Sequence, residues 1–153
     1  HGDRKESSRP IGFYAERFAR LIEAGRAMGI TVAHENVARC VGCAPGFFRA
    51  LRGQLPQAKF VLDVKQCIRA GCSTEDMLEA MGDGVIHLHL SDHAPGRDCL
   101  PLGEGTMDLA ALLKQMQTAG FDGNVVLELY RDNYGTYSQL ADSYRQILGC
   151  ING

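Results

Sequence analysis

Four side chains able to bind a cation stand at or near the ends of four strand-like stretches. They are Glu35 in TVAHEN, Asp63 in FVLDV, His89 in IHLHLSD and Glu128 in VVLELY. Three carboxylates and one imidazole suit a hard or borderline divalent ion, Mn2+, Mg2+, Co2+ or Zn2+, better than a thiolate-seeking metal. Singly, each has an ordinary use. An acid at a strand end caps the following helix or forms an ion pair, and a buried histidine finds a carbonyl or carboxylate. Jointly they favour a metal, because side chains alternate along a strand. Val61 and Asp63 share a face opposite Phe60 and Leu62, and Val126 and Glu128 share one opposite Val125, Leu127 and Leu129. The expectation is one polar group per strand, pointing inward from one level.

The stretch Val85 to Asp92, VIHLHLSD, carries the densest signal. Ile86, Leu88 and Leu90 lie on one face, and Val85, His87, His89 and Ser91 on the other. A strand between helical patterns in a βαβ series has both faces buried. Two imidazoles there need partners, and neutral imidazole is the commonest metal ligand among side chains.

The elements that must position these groups follow in order. Helical spacing runs from Phe13 to Met28 after a start at Ser7, Ser8 and Pro10, and stops at Gly29. A strand is predicted over 30–35, a polar loop over 36–42, and a helix over 45–55 opened by Pro45. Further strands are predicted at 59–64, 85–92 and 124–130. Helices are predicted at 74–81, capped by Ser73 or Thr74, at 108–119 and at 136–148, and a Gly- and Pro-rich loop covers 92–106. Strand starts recur about every thirty residues, the length of one βαβ unit, so the sheet is parallel with right-handed crossovers. An open doubly wound sheet and a (β/α)8 barrel both satisfy this. A full barrel takes about 250 residues, so four strands in 153 residues supply half of one. Barrel sites form at the C-terminal ends of the strands, where the four candidates stand.

Composition narrows the class. Hydrophobic content of 45% and charged content of 22% are those of an ordinary globular chain, and a net charge of -2 offers no bulk attraction to nucleic acid or anionic membrane. No apolar run reaches 18 residues, and no signal-peptide pattern opens the chain. The six cysteines read as reduced thiols of a cytoplasmic protein, and Cys40 and Cys43 form a C-x2-C without a second pair to complete a zinc site. The opening HGDRK, with no initiator Met, reads as a strand end entering a loop, and the expectation is a piece of a longer chain.

The segments HGD at 1–3, AHEN at 33–36, FVLDVKQ at 60–66, IHLHLSD at 86–92, PLGEGTMD at 101–108 and GFDGNVVLELY at 120–130 carry a resemblance. In order and spacing the chain resembles the second half of a sugar phosphate isomerase/epimerase of the xylose isomerase-like barrel superfamily. The resemblance implies that His1 closes the fourth strand and that strands five to eight follow. It implies metal ligands at Glu35, Asp63, His89 and Glu128, with Glu35 and Glu128 also the acid/base pair flanking a small sugar substrate. Such a site removes a proton beside a carbonyl and returns it to the same or the opposite face, through an enediolate stabilised by the cation.

Departures from the pattern bear on the substrate. Many members carry a histidine three residues after the strand-six aspartate; here Gln66 stands there, able to hydrogen-bond a hydroxyl but not to carry a proton. Lys65 reads equally as a site residue or as a solvated loop lysine. The segment PGRDCLPLGEG resembles that of hydroxypyruvate isomerases, in which an arginine follows PG, so Arg97 is a candidate substrate contact and equally an exposed loop residue. His87 either lines the pocket or is bonded beneath the metal layer. His34 is expected to be structural and His93 superficial, while Tyr130, Arg131 and Tyr134 could rim the pocket. The loop after the histidine strand offers Cys99 or Leu100 where a three-metal DNA-repair relative needs a further histidine, which argues against nucleic acid. The reading is one partial domain over 1–153, half a (β/α)8 TIM barrel with four strands and about five helices, completed by a second copy or by a missing N-terminal half. Its rivals are an inosose dehydratase-like lyase, a hydroxypyruvate isomerase and a non-catalytic truncated barrel.

Overall fold

A computed structural model describes residues 2–6 and 9–152. The expected strand end at His1 and helix start at Ser7 and Ser8 lie outside them. The described order is α1 (Ile11–Ala27), β1 (Ala33–Glu35), α2 (Pro45–Gln54), β2 (Lys59–Asp63), α3 (Val64–Ala70), α4 (Thr74–Met81), β3 (Val85–Leu90), β4 (Asp92–Ala94), β5 (Arg97–Leu100), α5 (Leu109–Thr118), β6 (Asn124–Leu127) and α6 (Tyr137–Asn152). Strands β1, β2, β3 and β6 form one parallel sheet in that spatial order, and β4 pairs antiparallel with β5.

Local chemistry sets the helix ends. Pro45 stands in the first turn of α2, where a missing N–H costs nothing. The Ser73 hydroxyl accepts the Asp76 N–H and starts α4, with Glu75 and Asp76 in its positive first turn. Asp108 caps α5 through the Ala111 N–H. Two elements depart from the expectation. The chain does not run straight on after β2, because Asp63 turns its carboxylate to the Gln66 N–H and caps a seven-residue helix, closed by Gly71 at φ 70°. Seven residues are too few to show a helical period. The 92–106 loop contains the β4–β5 hairpin, whose register slips between Asp92 and Ala94 and whose Cys99 has φ 57°. Slippage of that kind erases the alternation by which strands are read. The count is therefore six α-helices and two short 3-10 turns among the described residues, and the first strand is shorter than 30–35.

The core lies between the sheet and the helices. Phe60, Leu62, Leu88 and Leu90 are fully buried against Phe48, Leu51, Met77, Met81 and Met116. In α1, Phe18 joins this core, whereas Leu21 and Met28 face solvent. The opposite face of the sheet, which carries His87 and His89, is not covered as expected: both histidines are half-buried and Val126 is 38% exposed.

Candidate metal centre

The register staggers the candidate ligands. Asp63 stands opposite His89, but Glu35 stands opposite Val61, two residues earlier on β2. Leu127 is opposite Leu90, so Glu128 is just past the end of β6, its N–H donating to the Leu90 carbonyl at 2.9 Å. The four are therefore not on one level of the ladder. Their convergence comes from the stagger of neighbouring strands: Asp63 and His89 share a level, Glu35 stands two residues before it and Glu128 two residues beyond it.

They do converge. One ligand atom from each of Glu35, Asp63, His89 and Glu128 lies within 4.8 Å of all the others. His89 Nδ1 is 2.9 Å from Glu128 Oε2, 3.1 Å from Glu35 Oε1 and 3.9 Å from Asp63 Oδ2. Ligands about 2.1 Å from one ion stand about 3.0 Å apart at adjacent corners of an octahedron and about 4.2 Å apart at opposite ones. A second observation tests the fit. Asp63 Oδ2, His89 Nδ1 and Glu128 Oε2 are buried without an aligned hydrogen bond; the imidazole nitrogen lies beside both carboxylates, and the Lys65 ammonium is at ion-pair distance from them. Lone pairs that face each other across a small gap are the arrangement a cation would satisfy, and the oxygen-rich donor set fits a divalent ion.

Neighbours fix these atoms. Asn36, directly after Glu35, is 1% exposed; its Nδ2 donates to the Asp63 carbonyl at 2.9 Å and its Oδ1 accepts the Asp63 N–H at 2.7 Å. It ties the end of β1 to the end of β2. Asp63 divides its oxygens, with Oδ1 capping α3 and Oδ2 facing the cluster. Burial raises Asp63 to about 6, although Lys65 opposes the rise. Glu35 raises His89 above its usual value against burial, joined by the charges of Glu128 and Asp63. For Glu128 burial pushes up, and the contact with Lys65 outweighs it and holds the group below the usual carboxylate range.

Lys65, which the sequence left undecided, belongs to the site. It is 2% exposed, with Nζ 3.1 Å from Glu128 Oε2, 3.5 Å from Asp63 Oδ2 and 4.7 Å from the Tyr130 ring centre. Only its place two residues after Asp63, on a helix not foreseen, could have signalled this.

The remaining candidates divide. Gln66 lines a cavity of about 310 Å³ with Glu35, Arg39, Arg69, Glu128 and Tyr130, its Oε1 held by the Ala38 N–H at 3.0 Å. Tyr130 thus reaches the pocket. His87 packs edge-on against His89 at 5.3 Å, two residues toward the N-terminal end of the strand. Arg97 is exposed on β5 and does not line that cavity; the residue after it, Asp98, grips Arg69, which also donates to the Tyr130 hydroxyl at 3.1 Å. His34 sits 5.5 Å from each of Phe18, Phe47 and Phe48, and burial holds it down to about 4. A wider cavity of about 690 Å³, beside α1, shares no residue with the cluster.

Comparison with known proteins identifies the architecture. The model of the family described as xylose isomerase-like TIM barrel matches residues 2–152. The chain belongs to that family. Among solved structures, the apo form of 3-keto-D-glucoside 4-epimerase YcjR from E. coli is 19% identical with a TM-score of 0.73, over 94% of this chain and 57% of that one. The probable 3-DHS dehydratase AsbF from Bacillus anthracis is 16% identical with a TM-score of 0.68, over 92% and 56%. An uncharacterised protein of Mycobacterium tuberculosis is 38% identical over 74 residues, 47% of this chain and 26% of its own length. The chain thus spans little more than half of those structures, and its α/β fold is a partial TIM barrel of the xylose isomerase-like family. No helix among the described residues is long and apolar enough to cross a membrane.

Proposed function

We propose that this chain carries the cation-binding part of a sugar or sugar phosphate isomerase/epimerase, and that the four strands of its parallel sheet are strands five to eight of the barrel. The observation that carries the reading is the meeting of Glu35, Asp63, His89 and Glu128 within 4.8 Å. The likeness in fold to the E. coli 3-keto-D-glucoside 4-epimerase and to a D-tagatose 3-epimerase-like protein supports the class. In this reading Glu35 Oε1, Asp63 Oδ2, His89 Nδ1 and Glu128 Oε2 hold one divalent ion, Mn2+, Mg2+, Co2+ or Zn2+. When bound, the ion supplies polarisation of a substrate carbonyl and stabilises the enediolate charge.

The chain's own groups do the rest. Glu35 ends one outer strand of the sheet, Glu128 directly follows the other, and both line the 310 Å³ cavity. A sugar seated there lies between two carboxylates, one placed to take the proton beside the carbonyl and the other to return one from its own side. The ammonium of Lys65 keeps Glu128 ionised, ready to act as base. Gln66, its oxygen already engaged, offers its amide N–H groups to a hydroxyl. In the intact protein the exposed sheet face packs against the remaining strands of the barrel or a second copy, in the cytoplasm.

The test is solvent exchange. Full-length protein loaded with Mn2+ and offered ketoses in D2O incorporates deuterium at the carbon beside the carbonyl, and Glu128→Gln abolishes this without unfolding the protein. An active E128Q removes Glu128 from acid/base chemistry, and release of water in place of exchange assigns a lyase.

A further inference from the structure

Lys65 touches two of the atoms that face the candidate metal centre. Its Nζ lies 3.1 Å from Glu128 Oε2 and 3.5 Å from Asp63 Oδ2. It is 2% exposed and covered by the Tyr130 ring, whose hydroxyl is held by Arg69 and, through Arg69, by Asp98. A lysine bound only to a surface acid would be free to leave; this one is enclosed. With a neutral imidazole, three carboxylates carry a formal charge of three minus, and Lys65 reduces it to two minus. An ammonium and a metal ion also draw on the same lone pairs.

We propose that Lys65 is a built-in counter-charge that matches the site to a single divalent cation and keeps that cation exchangeable. The proposal rests on the reading of Glu35, Asp63, His89 and Glu128 as the ligands of one ion. In the empty site the ammonium holds Asp63 and Glu128 together against their mutual repulsion. In the loaded site it lies close enough to the ion to weaken its hold, and it opposes any ion of higher charge more strongly. An ion pair that merely braced α3 would have neither effect.

Binding separates these roles without an activity assay. Full-length protein stripped with a chelator is titrated calorimetrically with MnCl2 and with TbCl3, in mildly alkaline buffer where the carboxylates are ionised. Lys65→Met binds Mn2+ roughly tenfold or more tighter than wild type, and its preference for Tb3+ over Mn2+ rises by roughly tenfold or more again. Stripped K65M also melts lower than stripped wild type and recovers when Mn2+ is added. Lys65→Gln removes the charge but leaves a polar side chain at that position, and decides the matter if K65M does not fold. Wild-type or weaker Mn2+ affinity in both variants, with wild type binding normally, overturns the counter-charge. Failure of wild type itself to bind Mn2+ overturns the ligand reading and this inference with it.

Discussion

Replacing Asp92 by Ala should unfasten the loop that follows the histidine strand. The Asp92 carboxylate is 2% exposed and accepts four backbone N–H groups. Oδ1 takes those of His93 at 2.7 Å and Met107 at 3.0 Å, and Oδ2 those of Gly103 at 2.9 Å and Gly105 at 3.0 Å. The loop wraps so closely that a Cβ on Gly105 would lie 2.4 Å from Asp92 Oδ1. Each unsatisfied buried donor costs about 1–3 kcal/mol, and some of these donors recover water once the loop loosens, so the net loss is about 4 kcal/mol. A protein of about 150–250 residues loses about 2–4 °C per kcal/mol, so Tm falls by roughly 8–16 °C, with the lower figure expected for the longer full-length protein. Asp92→Asn is no milder, because its NH2 must face two of the four donors. The hairpin in this loop bears Asp98, which anchors Arg69 and with it Tyr130, so the variants also loosen the cover over Lys65. Thermal melts followed by circular dichroism decide the point. A fall of less than about 3 °C in D92A, or a wild-type melt in D92N, refutes the account of this carboxylate as the fastener.

Two further predictions concern the centre and its pH dependence. Asn36→Leu strands the buried N–H and C=O of Asp63, costing about 2–4 kcal/mol by urea unfolding and weakening Mn2+ binding; unchanged affinity would show that the Asn36 bridge does not set the ligand geometry. Burial raises Asp63 from 3.8 to about 6, so the folded state binds an extra proton in that window, and this contribution lowers the stability of the cation-free protein by about 3 kcal/mol as pH rises through it. The lowering of His34 from 6.5 to about 4 acts the other way, since the unfolded chain takes up a proton that the folded one refuses. His34→Leu removes the second term, so its stability falls more steeply than wild type by about 3 kcal/mol between pH 4 and 6.5; equal slopes in urea titrations would refute the assignment. Mn2+ affinity of wild type should also decline below about pH 6, as Asp63 takes up its proton.

Much of the fold was legible because long periodic segments announce themselves. Ser73 before an acidic turn, Pro45 at a helix start and the alternation through Phe60 to Asp63 are local signals, and the structure follows them. The α3 helix was not legible, because its start is fixed by a carboxylate that the sequence also offers to a metal. Asp63 does both, one oxygen to each task. The identity of the four clustered side chains could be read from their positions at strand ends, but their stagger could not, since register is set between strands. Lys65 shows the same limit. Its residue type and neighbours suit a site lysine and a solvated one equally, and only packing under Tyr130, with Glu128 from 63 residues away in the chain, turns it inward. Asp92 and Asn36 likewise act through backbone groups that no side-chain motif reveals.

The central claim is that Glu35, Asp63, His89 and Glu128 share one divalent ion. Anomalous diffraction from a crystal of the full-length protein soaked with MnCl2 tests it most directly. The account predicts a single peak at coordination distance, about 2.1 Å, from Glu35 Oε1, Asp63 Oδ2, His89 Nδ1 and Glu128 Oε2. A peak elsewhere, or an empty centre with His89 Nδ1 bonded only to the carboxylates around it, would contradict it.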